Sequence, residues 1–343
     1  MAMPGSIMAE RACIDIVIVN WNAGPLLGRC LSSIATHGGD RVGCVYVVDN
    51  GSTDGSADVD VPGLPLVVIR AGANLGFGRA CNLAADRGSA PLILLLNPDT
   101  ELHPGALDQC VARLEQADGG QIGVLGVRLV DEAGAVQRHC GRFPTWRSFV
   151  GASLGLSHVS ALARRWFPPI IMADFDHLSS RDVDHVIGAF YLVRRDIYRA
   201  IGGFDERFFV YLEDLDLSRR IRARGHRIHY FAEPEVYHKR GGTSEQVKAH
   251  RLSYALQANL IYAFKHFSRA GAFAVALATY VAEPLARSAR AVLRRSPEEL
   301  GFTWHGFAML YGATPRLART LASALDRNRT AIRIDAEQGK GGA

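Results

Sequence analysis

LILLLNPDTEL, residues 92–102, reads as a strand that ends on a polar turn: five apolar side chains in a row, then Asn97, Pro98 and Asp99. So short an apolar run, closed by a proline turn, suits a strand buried on both faces of a parallel sheet. IDIVIVN (14–20), VGCVYVVD (42–49) and LPLVVI (64–69) have the same character. The stretches PLLGRCLSSIATHG and GFGRACNLAADRG between them have helical spacing and close on glycine. Alternating strand and helix predicts an α/β fold with a mainly parallel central sheet flanked by helices, and a ligand site beyond the carboxyl ends of the strands. Asn20, Asp49 and Asn97 to Asp99 stand at those ends.

Downstream, ALDQCVARLEQA predicts a helix and QIGVLGVRLVDEAGAVQR a strand with a hairpin. From about 140 to 182 periodicity is weak and Pro144, Trp146, Trp166, Pro168 and Pro169 interrupt it, so a long, partly mobile loop region is expected. VDHVIGAFYLVRRDIYRAIGG resumes as strand and short helix. From Gln246 to about Asp326 the chain reads as helical, with interruptions near Gly271, Pro284, Pro297 and Gly312, before a flexible tail. With 343 residues and 48% hydrophobic content it can build one large core or two smaller ones. Six cysteines without CxxC spacing point to reduced, buried thiols rather than zinc or disulfides. MAMPGSIMAERAC lacks the pattern of a signal peptide, so a cytoplasmic protein is expected. The net charge of +5 is uneven: acidic residues gather around 174–216, and Arg287, Arg290, Arg294 and Arg295 crowd a later apolar segment. That arrangement predicts an anionic partner near the C-terminal part.

Several local patterns carry chemistry. Asp49 ends a strand and opens DNGSTDGS, where its carboxylate can accept from a base or ribose, or simply cap the loop. ANLGFGRACN (73–82) couples a glycine turn to a helix start, which can turn backbone N–H groups toward a phosphate or be a plain helix entry. Asp99, fixed by Pro98 at a strand end, suits a hard divalent cation, Mg2+ or Mn2+, bridging it to a diphosphate. The competing reading is an ordinary turn cap. In EDLDL the carboxylates of Glu213, Asp214 and Asp216 occupy a first helical turn, where the helix dipole favours them with or without chemistry. Successive helical residues diverge by about 100°, so Glu213 and Asp214 cannot share one role. His238 precedes KRGGTS, a glycine turn able to close over a phosphate, and is a candidate second ligand beside Asp99.

In this order IVIVNWN, VVDNGSTDGS, NLGFGRACN, LLLNPDTEL, the segment from GAFYLVRRDIYRAIGGFDERFFVYLEDLDLSRRIRARG and HKRGGTS resemble the family-2 inverting glycosyltransferases of GT-A fold, within their bacterial rhamnosyltransferase-like branch. The resemblance covers roughly residues 12–245. It implies a Rossmann-like GT-A catalytic domain over 1–245, with a nucleotide-sugar half at about 12–130 and an acceptor half at about 183–245, and a C-terminal helical region over 246–343. It implies Asp214 as catalytic base with Glu213 beside it, and Asp99 and His238 as ligands of Mg2+ or Mn2+. The donor side comprises Asn20, Asn22, Asp49, Asn50, Asn74, Gly76, Asn97, Asp99, Lys239 and Arg240. Gly188, Ala189, Asp205 and Glu206 border the acceptor. Asn97 replaces the first aspartate of the family's Asp-x-Asp motif, which lowers the charge available to a metal. His185 stands where the family usually places tryptophan.

The implied reaction moves a sugar, L-rhamnose from dTDP-rhamnose or a sugar from a UDP donor, onto a glycan or polyprenyl-diphosphate-linked acceptor. The rival reading is a nucleotide-sugar-binding protein with a degenerate site. A dehydrogenase is disfavoured because NWNAGPLLG does not supply GxGxxG, and no recognisable module supports nucleic-acid binding. AGAFAVALATYVAEPLA (270–286), interrupted by Glu283 and Pro284, is shorter than the roughly 20 apolar residues a bilayer span needs. It reads either as a peripheral contact with anionic lipid at the inner face of the cell membrane, or as helices packing on the catalytic domain or in a homodimer.

Overall fold

The computed structural model describes residues 13–156, 159–239 and 247–338, with side chains as far as Ala322. Among these, nine strands form one sheet: β1 (Ile14–Asn20), β2 (Val42–Asp49), β3 (Leu66–Arg70), β4 (Leu92–Leu96), β5 (Thr100–Leu102), β6 (Ile122–Val130), β7 (Arg181–Val183), β8 (Phe190–Arg194) and β9 (Arg227–His238). Their order is β3-β2-β1-β4-β8-β6-β9-β5, with β7 on β9. The first four strands are parallel, as the four apolar runs predict, and β8 enters antiparallel to both β4 and β6.

Alternation along each strand decides which helices cover which face. Ile14, Ile16 and Ile18 of β1 and Leu92, Leu94 and Leu96 of β4 pack with α1 (Pro25–His37) and α3 (Ala106–Glu115). Val17, Val19, Ile93 and Leu95 face the other way, onto α2 (Phe77–Ala85), α6 (Arg195–Ala200) and α7 (Glu213–Ala223). Both faces being covered explains why these strands read as continuous apolar runs. The six cysteines are free, and Cys44 alone among them is not fully buried.

At the amino end of the sheet, Asp15 interrupts an otherwise apolar strand. Its carboxylate meets the Arg195 guanidinium at 2.6 Å, with both side chains about 5% exposed, and accepts from the Ala90 N–H. Arg195 also donates to the carbonyls of Ala85 and Ala90. The pair thus ties β1, the end of α2 and the start of α6 together.

The chain divides into two compact units. The first holds the described residues within Met1–Phe143, Ile171–Phe209 and Glu213–Glu245; the second holds those within Pro144–Ile170, Val210–Leu212 and Gln246–Ala343. The stretch of 140–182, expected as loop, contains α4 (Trp146–Leu154), α5 (Ala161–Trp166) and β7. Helix α4 starts on a capping box between Thr145 and Ser148, and Phe149 packs edge-on against Tyr262 of α8 (Lys248–His266). It was hidden in the sequence because WRSFVGASL is short and mixes small polar residues with its apolar ones. The expected interruption at Gly312 is also absent: α11 runs from Pro297 to Gln338 through both Gly312 and Pro315. Between α9 (Arg269–Leu277) and α10 (Glu283–Leu293) the chain forms a π turn, Ala278–Ala282, instead of breaking. A π turn next to Pro284 accommodates the missing N–H and the steric bulk of the ring.

Replacing one member of a buried ion pair leaves the other charge uncompensated. Arg195→Ala should therefore destabilise the first unit by about 3–5 kcal/mol, and adding Asp15→Ala should recover part of the loss. Thermal melts of the single and double variants check this; additive losses would show that the two side chains do not act as a pair.

Candidate active site

The turn after β4 is three residues long. Asn97 N–H donates to the Ala189 carbonyl at 3.1 Å, and the Asn97 carbonyl accepts from Thr100 Oγ1 at 2.6 Å. β5 then pairs antiparallel with β9 so that Thr100 lies opposite His238, and Lys239 N–H donates to the Asp99 carbonyl at 2.9 Å. This register sets His238 Nε2 at 3.5 Å from Asp99 Oδ1, with both side chains nearly buried. The sequence reading did not find Gln137, which completes the arrangement. Its Nε2 donates to the His238 carbonyl at 2.6 Å, leaving Oε1, at 3.0 Å, to accept from His238 Nδ1–H. With Nδ1 carrying the proton, Nε2 presents its lone pair beside the Asp99 carboxylate, the orientation a metal-binding histidine requires. Among the described residues no three His, Cys, Asp or Glu side chains gather as a metal cluster. One carboxylate and one imidazole, Asp99 and His238, are a donor set that could hold a divalent ion whose remaining ligands come from a diphosphate and water. Nothing in the segment around Gln137 marks it as a partner of a residue 101 positions away.

Asp214 is the second residue of α7, which starts after two residues of positive φ, Tyr211 (73°) and Leu212 (61°). Its Oδ2 accepts from Gly188 N–H at 2.8 Å and its Oδ1 from Leu215 N–H. Gly188 and Ala189 are consecutive, so one short backbone segment holds Asp214 on one side and the Asn97 turn on the other. His185 Nε2 lies 3.7 Å from Asp214 Oδ2, and His185 Nδ1 is hydrogen-bonded with Ser218 Oγ, which also meets Tyr191 OH. Burial lowers the pKa of His185, favouring the neutral ring. Glu213 diverges from Asp214, as helical geometry requires: it is buried, and its Oε2 has no hydrogen-bond partner. Burial first, and then the Asp214 charge, push the Glu213 carboxyl well above the usual carboxylate range.

The loops after β1 and β2 are stitched together. Asn20 is fully buried, its amide donating to Ser52 and Ser56, and Asn22 Oδ1 accepts from Thr53 N–H at 2.8 Å. Asp49 Oδ1 accepts from Ser52 N–H, and its Oδ2 lies 3.9 Å from Arg70, a cation the sequence reading passed over. Asn50 donates to Asn74 Oδ1 and the Gly76 carbonyl and accepts from Leu75 N–H. Gly76 N–H goes to Asn74 Oδ1 and Phe77 N–H to the Phe209 carbonyl. The expectation that this glycine turn offers its N–H groups to a phosphate is thereby corrected at Leu75, Gly76 and Phe77, whose donors are spent internally. Gly76 has another use. At φ 83° it lets the chain pass so close to Phe209 that a Cβ would strike the carbonyl.

Asp205 is engaged by Arg207 through both carboxylate oxygens, and Glu206 accepts from Asn82 Nδ2. Asn82 of α2 also accepts from Phe204 N–H and Tyr198 OH. Asp205 and Glu206 thus shape and anchor their loop. Lys239 is exposed, and Arg240 lies outside the described residues, with the rest of the KRGGTS turn.

The profile described as "Glycosyltransferase like family 2" matches residues 11–253. The N-acetylglucosaminyl-diphospho-decaprenol L-rhamnosyltransferase of Mycobacterium tuberculosis (strain CDC 1551 / Oshkosh) is 31% identical over 271 residues, 74% of this chain and 85% of that protein. The O-antigen biosynthesis protein RfbC of Myxococcus xanthus is 32% identical over 161 residues, 46% of this chain and 12% of its own length. Among solved structures, GalNAc-T7 with UDP, GalNAc and Mn2+ superposes with a TM-score of 0.50 at 14% identity, over 74% of this chain and 50% of that one, a likeness of fold. The motif order, the sheet and these relatives agree: the chain belongs to glycosyltransferase family 2 and is a glycosyltransferase of GT-A fold.

Proposed function

We propose that the enzyme transfers L-rhamnose from dTDP-rhamnose, with inversion, to a hydroxyl of a polyprenyl-diphosphate-linked N-acetylglucosamine precursor of a cell-surface polysaccharide. The substrate classes are supported by the mycobacterial relative's name and extent of match. The observation that carries the mechanism is the Gly188–Ala189 segment, which holds Asp214 through one residue and the Asn97–Asp99 turn through the next. A base and a leaving-group site supported by one short piece of backbone is the arrangement this reading needs.

In this reading Asp214 Oδ accepts the proton of the acceptor hydroxyl as that oxygen attacks the anomeric carbon. The bond from that carbon to the diphosphate oxygen breaks, and its electron pair leaves with dTDP. When bound by Asp99 and His238, Mg2+ or Mn2+ supplies positive charge against the departing diphosphate. Gln137 keeps the His238 lone pair available, and the Gly188 and Leu215 N–H groups fix the Asp214 carboxylate in place. His185, neutral and held by Ser218, packs behind that carboxylate without adding a second formal charge.

Three outcomes are expected. Asp214→Asn should lower rhamnosyl transfer by about 10²–10⁴-fold with dTDP affinity unchanged; normal turnover would remove Asp214 from the base role, and turnover of UDP-sugars in place of dTDP-rhamnose would reassign the donor. Gln137→Ala should weaken metal binding by about 10–100-fold, read as the Mn2+ midpoint of the dTDP-induced thermal shift; an unmoved midpoint would detach Gln137 from the site. Glu213 has its folded-state pKa raised above the unfolded value, so its contribution to stability is complete in acid and lost as pH rises through the raised value. Glu213→Gln mimics the protonated form, so its melting-temperature advantage over the parent should grow as pH rises above the ordinary carboxylate range. A difference that stays flat with pH above the ordinary carboxylate range would mean that Glu213 ionises normally.

A further inference from the structure

The run α9–π turn–α10 presents a row of large apolar side chains to solvent: Phe273, Leu277, Val281, Leu285, Val292 and Leu293, each between 52% and 84% exposed. Scattered exposed leucines mean little, but a contiguous apolar row marks an interaction surface. Four of these residues are spaced by four. In a regular α-helix each such step drifts by about 40° around the axis, and three steps would carry the row off one face. The π turn at Ala278–Ala282 lies in the middle of the row, and its slower winding takes back part of that drift, so the apolar side chains stay aligned. On the opposite side Ala272, Val275, Ala278, Thr279, Glu283 and Ala291 are buried.

The charge on this run has one sign. Between Arg269 and Arg295 the sequence holds a single carboxylate, Glu283, which is buried and engaged by Arg287 and Ser153. Arg269, Arg290, Arg294 and Arg295 are exposed at or near the two ends of the row, Arg294 reaching Glu299 just beyond it at 3.3 Å. Among the described residues no helix is long and apolar enough to cross a membrane. An apolar stripe with cationic ends and no exposed carboxylate complements a surface that is hydrocarbon beneath and anionic above. Pairing two copies of the stripe, parallel or antiparallel, would set Arg269, Arg290 and Arg295 of one copy against arginines of the other, and Arg294 is already paired with Glu299 of its own chain.

We infer that the α9–α10 face is a membrane-docking surface that lies in the plane of an anionic lipid leaflet, with Phe273, Leu277, Val281, Leu285 and Val292 inserted among the acyl chains and the arginines at the headgroups. The docking requires no donor, acceptor or metal, so its test is separate from that of the reaction. The full chain is sedimented with vesicles of phosphatidylcholine alone and with about one-third phosphatidylglycerol, at low and moderate salt, beside Leu277→Glu/Leu285→Glu and Arg290→Gln/Arg295→Gln variants. Both substitution pairs lie at exposed positions, and melting temperatures confirm that they fold. The expected result is binding to the anionic vesicles only, reduced at least tenfold by the glutamate pair and made less salt-sensitive by the glutamine pair. Folded parent protein that stays in the supernatant, or a glutamate variant that binds as well as the parent, overturns the inference. So does a parent dimer in sedimentation velocity that the glutamate pair dissolves, which would make the stripe a contact between copies.

Discussion

Asp99 and His238 are 139 residues apart in sequence, and what brings them together is the register of a three-residue strand. β5 pairs with β9 so that Thr100 faces His238, and the Lys239 N–H to Asp99 carbonyl bond extends the pairing one step beyond β5. Because strand side chains alternate, a slip of one residue would turn His238 to the opposite face of the sheet. Three side-chain bonds resist that slip. Thr100 Oγ1 locks the Asn97 carbonyl, and Gln137 holds both the backbone and the ring of His238. The same turn reaches Ala189, so the register that brings Asp99 and His238 together also fixes the segment on which Asp214 rests.

Asn97 matters here chiefly through its backbone. Both its N–H and its carbonyl are committed to neighbours, and an aspartate in its place would add a negative charge two residues from Asp99. An amide at that position leaves the turn intact while lowering the charge that a divalent ion meets. In the proposed reaction an ion bound there would depend more on the diphosphate for charge and on a well-oriented His238, an orientation the Gln137 clamp fixes.

The sheet was readable from sequence because strands covered on both faces must be apolar throughout, and four such runs announce a parallel core. The site residues at their ends followed from polarity at strand termini together with the motif order. Gln137, Asn82 and Arg70 were not readable, since each acts through a partner far off in the chain and sits in a segment with no pattern of its own. Helix α4 escaped for a different reason: its stability rests on a capping box and on aromatic packing with α8, neither of which shows in hydrophobic periodicity. At Gly76 the flexible turn read as a phosphate cradle is a close-packing device, because its neighbouring N–H groups satisfy Asn50, Asn74 and Phe209.

The surroundings of Asp214 separate the formal charges around it. Two adjacent carboxyl groups in a partly buried helix start repel each other if both ionise. Glu213, buried with one oxygen unpartnered, is the member that resists ionisation, whereas the Asp214 side chain is 19% exposed and receives two backbone N–H groups. His185 is kept neutral by burial, so it cannot lock the Asp214 carboxylate into a buried ion pair as an arginine would. A base must be charged, oriented and still able to take a proton. Orientation here comes from backbone amides, which fix direction without carrying a formal charge, and among Glu213, Asp214 and Asp216 at the head of α7 only Asp214 is partly open to solvent, as the proposed base role requires.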